Sequence, residues 1–159
     1  MIKVLFVCLG NICRSPLAEG VFAHLIRQNN LHEQITCDSA GTSDYHVGHP
    51  ADPRSIKIAR NYGIELTHRA RQFTSVDFNN FTYIIVMDNS NLANVRKVEQ
   101  ECHGHNCRVF LMREFDSDKS HDEVADPYWS DEAGFDECYQ TVFRSSQGLL
   151  DFIRKKHNL

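Results

Sequence analysis

Four short apolar, β-rich runs set the pattern of the chain: IKVLFV (2–7), QITCDS (34–39), YIIVMD (83–88) and RVFLM (108–112), each next to a stretch with helical spacing. Strands that alternate with helices imply crossover connections, and their usual arrangement is a parallel sheet with covered faces. The expected fold class is therefore α/β. After the first run, Leu17, Ala18, Val21, Phe22, Leu25 and Ile26 recur on one helix face, and Pro16 stands where a first turn tolerates it, so residues 15–28 read as a helix. DPRSIKIARNYG (52–63) has an Asp-Pro start and a Gly stop, NSNLANVRKVEQE (89–101) opens on an Asn cap, and Phe135, Cys138, Val142, Leu149 and Ile153 mark a last helix. Between Asp116 and Ala133 neither period holds; acids accumulate there around Pro127, Tyr128 and Trp129, and long loops of this kind are often functional.

There is no repeat and no sign of a second domain, so residues 1–159 read as a single domain with room for a real core. A formal charge of −4 offers no basic field for nucleic acid or an anionic membrane, and no apolar run nears the roughly 20 residues that span a bilayer. Neither partner is expected, and the cytoplasm is the default location. Six cysteines lie within apolar segments without the spacing of a disulfide framework, so reduced thiols are expected.

VLFVCLGNICRSPLAEGVF (4–22) contains the pattern Cys-x5-Arg at Cys8 and Arg14, but the same pattern recurs at Cys102–Arg108 and Cys138–Arg144. Context separates them. Only Cys8–Arg14 joins a strand end to a helix start, where the N–H groups of Leu9, Gly10, Asn11, Ile12 and Cys13 and of the first helical turn can converge on an anion without any lysine. Gly10 and Asn11 are the residue types that accept the left-handed angles of such a cradle. Phosphate fits it. The helix terminus and Arg14 favour the thiolate of Cys8, the nucleophilic form, and Arg14 offers a planar fork for phosphoryl oxygens. Ser15 is placed to cap the helix or to hydrogen-bond the sulfur. A nucleotide-binding loop has less support, because the Gly-Lys-Ser/Thr ending is missing.

VCLGNICRSPLAEGVF closely resembles the signature loop of the low-molecular-weight protein tyrosine phosphatases, and CDSAGTSDYHVGHPADPRS, HRARQ, FNNFTYIIVMDNSN and DPYW resemble that family's later blocks, in order and at similar spacing. The resemblance covers almost the whole chain. It implies a four-stranded parallel sheet in the order 2-1-3-4 with helices on both faces, ligand binding at the carboxyl end of the first strand, and hydrolysis of phosphotyrosine through a cysteinyl-phosphate. It assigns Cys8 as nucleophile, Arg14 as phosphate ligand and Asp126 as general acid and then general base. Asn11, Ser15, Ser39 and His68 match loop-supporting residues, and Asp44, Tyr45, Tyr128 and Trp129 match the cleft walls. The family often carries a tandem tyrosine after Asp-Pro; here Trp129 holds the second place. Tyrosine-phosphorylated proteins are the implied partners, a monomer is expected, and no cofactor or metal is implied. Cys13, five residues beyond the nucleophile, is a candidate redox partner for Cys8.

Three other readings carry less support. Arsenate reductases share the fold and first loop but relay electrons through further cysteines, and none lies between Cys37 and Cys102. Protein-arginine phosphatases resemble the same loop with a threonine where Ile12 stands. A non-catalytic phosphopeptide-binding module would not need Cys8, Arg14 and Asp126 together. ECHGHNC (101–107) crowds two cysteines and two histidines but lacks the distant second pair of a structural zinc site.

Overall fold

The computed structural model describes Met1–Leu159. In chain order the elements are β1 (Ile2–Cys8), α1 (Arg14–Gln28), β2 (Ile35–Gly41), α2 (Pro53–Asn61), α3 (Asp77–Asn80), β3 (Tyr83–Val86), α4 (Asn89–Glu99), β4 (Arg108–Leu111), a 3-10 turn at Met112–Phe115, and α5 (Glu132–His157). The strands form one parallel sheet in the order β2-β1-β3-β4. The chain leaves β1 toward β2 on one side and later returns to place β3 on the other, so the strand order reverses beside β1. Open α/β sheets bind ligands at that point, beyond the carboxyl ends of the strands.

Alternation along the strands sorts the core into two layers, because successive side chains leave opposite faces of a sheet. Val4, Phe6, Cys8, Tyr83, Ile85 and Met87 pack with α1, α2 and α5, whereas Leu5, Val7, Ile84 and Val86 pack with Phe78 of α3 and Val95 of α4. Cys8 is thus the last inward residue of the central strand, and its Cα pairs with that of Gly41 on β2. Phe6 packs edge-on against Phe22 of α1 with ring centroids 5.5 Å apart. Each such fully buried ring contributes roughly 1.5–3 kcal/mol by removal from water, which fixes α1 and the loop ahead of it on the strand.

One local expectation is corrected and one short element is added. The cap of α4 is Asp88, not an asparagine: its Oδ1 accepts from Asn91 N–H at 2.7 Å. The preceding residue has to be extended for the chain to turn from strand into helix, and Asp88 holds φ −148° and ψ 173°. The one-turn helix α3 was not foreseen; it is organised by Asp77, whose carboxylate accepts from Thr74 N–H and from Arg71. At α2 the expected caps are present, with Asp52 accepting from Arg54 N–H at 2.9 Å and Gly63 at φ +76° beyond the last turn. No helix is long and apolar enough to cross a membrane.

Candidate active site

The segment from Leu9 to Cys13 connects β1 to α1, and the carbonyls at its two ends are tied outward. Cys8 O accepts from Thr42 N–H, Leu9 O from Ser43 N–H, Ile12 O from Asp52 N–H and Cys13 O from the Ser55 hydroxyl. The amide N–H groups of residues 9–15 donate to no protein acceptor. Donors collected at a helix N-terminus in this way make a ready anion site.

Asn11 holds the loop in shape. It adopts φ +56°, the left-handed region, and is 1% exposed. Its side-chain amide is fully used: Nδ2 donates to Ser15 Oγ at 2.7 Å and Ser39 Oγ at 3.0 Å, and Oδ1 accepts from Arg71 N–H at 3.0 Å and from His68 Nε2 at 2.8 Å. With Oδ1 acting as acceptor, the proton sits on His68 Nε2, so Nδ1 faces Glu19 Oε1 at 3.2 Å and Asp38 Oδ1 at 3.3 Å. Burial lowers the His68 pKa; burial and the charge of Asp38 push Glu19 up to about 8. Gly10 differs from expectation: its φ is not positive, and a Cβ there would come within 3.0 Å of His46 Cδ2. The glycine at this position clears space for a side chain from the opposite wall. Gly41 does the same from below, since a Cβ would meet Leu9 O at 2.7 Å.

At the centre, Cys8 Sγ lies 3.0 Å from Ser15 Oγ. One lone pair of that hydroxyl is taken by Asn11 and its other near contact, Ala40 O, is at 3.4 Å, so its proton is available to the sulfur. Arg14 is 3% exposed; Nη1 donates to Asp88 Oδ2 at 2.7 Å and to Val124 O at 3.0 Å, and Nη2 is 3.6 Å from Asp126 Oδ2. Asp88, which sequence reasoning used only as a strand end, therefore caps α4 with one oxygen and orients Arg14 with the other. Its place just past β3, beside the strand-order reversal, was the available signal. Asp126 Oδ1 accepts from Tyr128 N–H at 3.1 Å, which leaves Oδ2 toward the site.

Cys8, Leu9, Gly10, Ile12, Cys13, Arg14, Tyr45, His46, Asp126, Tyr128 and Trp129 line one cavity of about 260 Å³. Of the expected wall residues, Asp44 is exposed and outside this lining, and His46 takes the position beside Tyr45. Asn11, Ser15, Ser39 and His68 lie behind the loop. Trp129 is 92% exposed at the mouth. All six cysteines are free thiols. In residues 101–107 the potential ligands turn to other partners, His105 to Glu99 at 2.8 Å and Cys102 to Asn79 and Gly104.

An α/β sheet with a thiol and a buried guanidinium under a ring of unpaired amides, faced by a carboxyl, has the makings of an oxyanion site beside a cysteine. The model of the low molecular weight phosphotyrosine protein phosphatases matches residues 3–159, and the chain belongs to that family. It is 42% identical over 153 residues to the low molecular weight phosphotyrosine protein phosphatase of Schizosaccharomyces pombe, covering 96% of this chain and 97% of that one. The protein tyrosine phosphatase of Entamoeba histolytica, solved with Hepes in the active site, is 38% identical with a TM-score of 0.89 over 99% of both chains. The drosophila arginine phosphatase structure is 32% identical with a TM-score of 0.92, covering 96% of this chain and 98% of that one. The protein is thus a protein tyrosine phosphatase by family.

Proposed function

We propose that the chain hydrolyses phosphotyrosine and other aryl phosphate monoesters in two steps. The Cys8 thiolate attacks phosphorus, the S–P bond forms as the P–O bond to the phenol breaks, and Asp126 gives its proton to the departing oxygen. Arg14 and the amides of residues 9–15 bind the phosphoryl oxygens and the charge that builds on them. Water then attacks the cysteinyl-phosphate while Asp126 takes its proton, releasing phosphate and the thiolate. The observation that carries this reading is that Cys8, Arg14 and Asp126 line one cavity while Ser15 holds the sulfur at 3.0 Å. No cofactor enters the scheme. Tyrosine-phosphorylated proteins are the substrates proposed, acted on by a monomer in the cytoplasm, a setting that suits six free thiols.

The test compares two esters. Asp126→Asn lowers kcat/KM for phenyl phosphate by about 10²-fold or more, whereas p-nitrophenyl phosphate, whose leaving group needs little protonation, loses much less. Cys8→Ser abolishes turnover of both and still binds oxyanions. Equal losses on the two esters with Asp126→Asn remove that residue from the acid role.

The arginine phosphatase among the similar structures favours a second substrate class, a phosphoramidate. Ile12 lines the cavity and its bulk suits an aryl ester better than a guanidinium. Parallel rates on phosphotyrosine and phosphoarginine peptides decide between them.

The proposal extends to redox control. Peroxide oxidises the Cys8 thiolate to the sulfenic acid, and the Cys13 thiol condenses with it, releasing water and forming a disulfide that a dithiol reduces. Burial and the charge of Asp52 push the Cys13 thiol up, so in this step its proton leaves with the departing hydroxyl as water when its sulfur attacks. Parent enzyme recovers most activity after peroxide and then dithiol; Cys13→Ser keeps much of its basal rate but not the recovery. Equal recovery would make Cys13 a packing residue.

A further inference from the structure

The turn that carries Asp126 has few grips on the rest of the molecule. Asp126 is 44% exposed in its side chain; its one hydrogen bond is from the Tyr128 N–H of its own turn, beside the longer ion pair to Arg14, while Ser130 N–H closes back on Pro127 O. Apart from Arg14, whose Nη2 lies 3.6 Å from the Asp126 carboxylate itself, one side chain reaches this turn from elsewhere. Arg54, on the first turn of α2, donates through Nη1 to Tyr128 O at 2.9 Å, and its guanidinium lies over the rings of Tyr128, at 5.4 Å, and Phe135, at 4.5 Å. The same group is anchored at its other edge, with Nε donating to Asp52 Oδ1 at 3.0 Å and Nη2 to Asp52 Oδ2 at 2.9 Å. Asp52 in turn donates its N–H to Ile12 O, in the phosphate loop, at 2.8 Å. A continuous path therefore runs from the loop through Asp52 and Arg54 to the turn that bears the carboxyl.

We propose that Arg54 is a positioning residue for Asp126, clamping the acid-bearing turn against the phosphate loop at the distance the leaving oxygen requires. The inference rests on the role given to Asp126 above. A planar fork suits the task, because it fills both oxygens of Asp52 with one edge and still offers Nη1 to a carbonyl. A lysine has one point charge and cannot do both. Small displacements of a catalytic group cost rate out of proportion to the distance, so loosening the clamp acts on the proton transfer before it acts on phosphate binding.

Arg54→Met keeps an unbranched apolar stem over Phe135 and removes the fork. The expected result is a loss in kcat/KM for phenyl phosphate about tenfold larger than for p-nitrophenyl phosphate, with the inhibition constant of inorganic phosphate within twofold of the parent. Arg54→Lys shows the same gap between esters, and serves if the methionine variant folds poorly. In an Asp126→Asn background, Arg54→Met brings no further loss on phenyl phosphate, since a residue that acts through another has nothing left to act on. Equal losses on both esters, full activity on both, or multiplied losses in the double variant overturn the proposal. Asp126→Asn alone reports on the underlying role: if that variant shows no gap, the acid assignment fails and the clamp falls with it, whereas a gap there without one in Arg54→Met refutes the clamp only.

Discussion

Glu19, on α1, is a half-buried carboxyl among the residues behind the phosphate loop. It accepts from Ser39 Oγ at 3.1 Å and faces His68 Nδ1, with Asp38, Arg71 and the Cys37 thiol around it. Its folded pKa, pushed to about 8 by burial and then by Asp38, lies above the ordinary 4.5. A group raised in this way contributes stability that is complete below the unfolded value and is lost as pH rises through the folded one. The window is therefore pH 4.5 to about 8, and within it the folded state holds the extra proton. Glu19→Gln retains the hydrogen bonding without the titration, so chemical denaturation at stepped pH should give a flatter stability profile across that window than the parent. The difference in slope is at most about 1.4 kcal/mol per pH unit, the value for one proton. Identical profiles would show that Glu19 ionises in the fold as freely as in the open chain.

Among the elements, α5 passes close to a backbone outside itself at Gly148. A Cβ at Gly148 would run into the carbonyl oxygen of Phe115 in the 3-10 turn, and neither partner is a flexible side-chain end. Alanine is the better helix former by about 1 kcal/mol, yet here Gly148→Ala is expected to lower stability by about 2–4 kcal/mol, because the helix must move off the turn. Denaturant unfolding checks the sign, and kcat at a temperature well below the transition should stay near the parent value. The sequence shows this glycine only as an oddity inside a helical period, since its reason is a contact between segments 33 residues apart in the chain. The same limit governs the site. Strands, the large helices and the Cys8–Arg14 junction were legible because local periods and the strand-to-helix transition encode them. Asp88, Gly41, His46 and Arg54 were not, because each acts on the loop across the sheet or from another element, where spacing in sequence carries no trace of distance in space. The Asn cap expected for α4 failed for a related reason: the residue one step earlier has both the extended backbone and the carboxylate, and YIIVMD read as strand to its last letter.

At the scale of the whole molecule, the amides of residues 9–15 tie binding to folding. The carbonyls of Leu9, Ile12 and Cys13 are fixed outward by Ser43 and Asp52, from the segment between β2 and α2, and by Ser55 of α2, so the donors are held in place by the global fold. Any ligand that binds the native state alone raises its stability by mass action, about 2.7 kcal/mol when its concentration is a hundredfold above Kd. For a chain of this size that corresponds to an upward shift in Tm of about 5–10 °C. Inorganic phosphate should produce it in a thermal melt and Arg14→Ala should lose most of it; a melt unmoved by saturating phosphate would show that the amides are not the binding site. Phosphate is also what the reaction discards. Turnover therefore ends with the protein giving up a group that strengthens its own architecture, so inhibition by product and resistance to heat are two readings of one equilibrium, and a variant selected to let phosphate go faster should melt sooner in its presence.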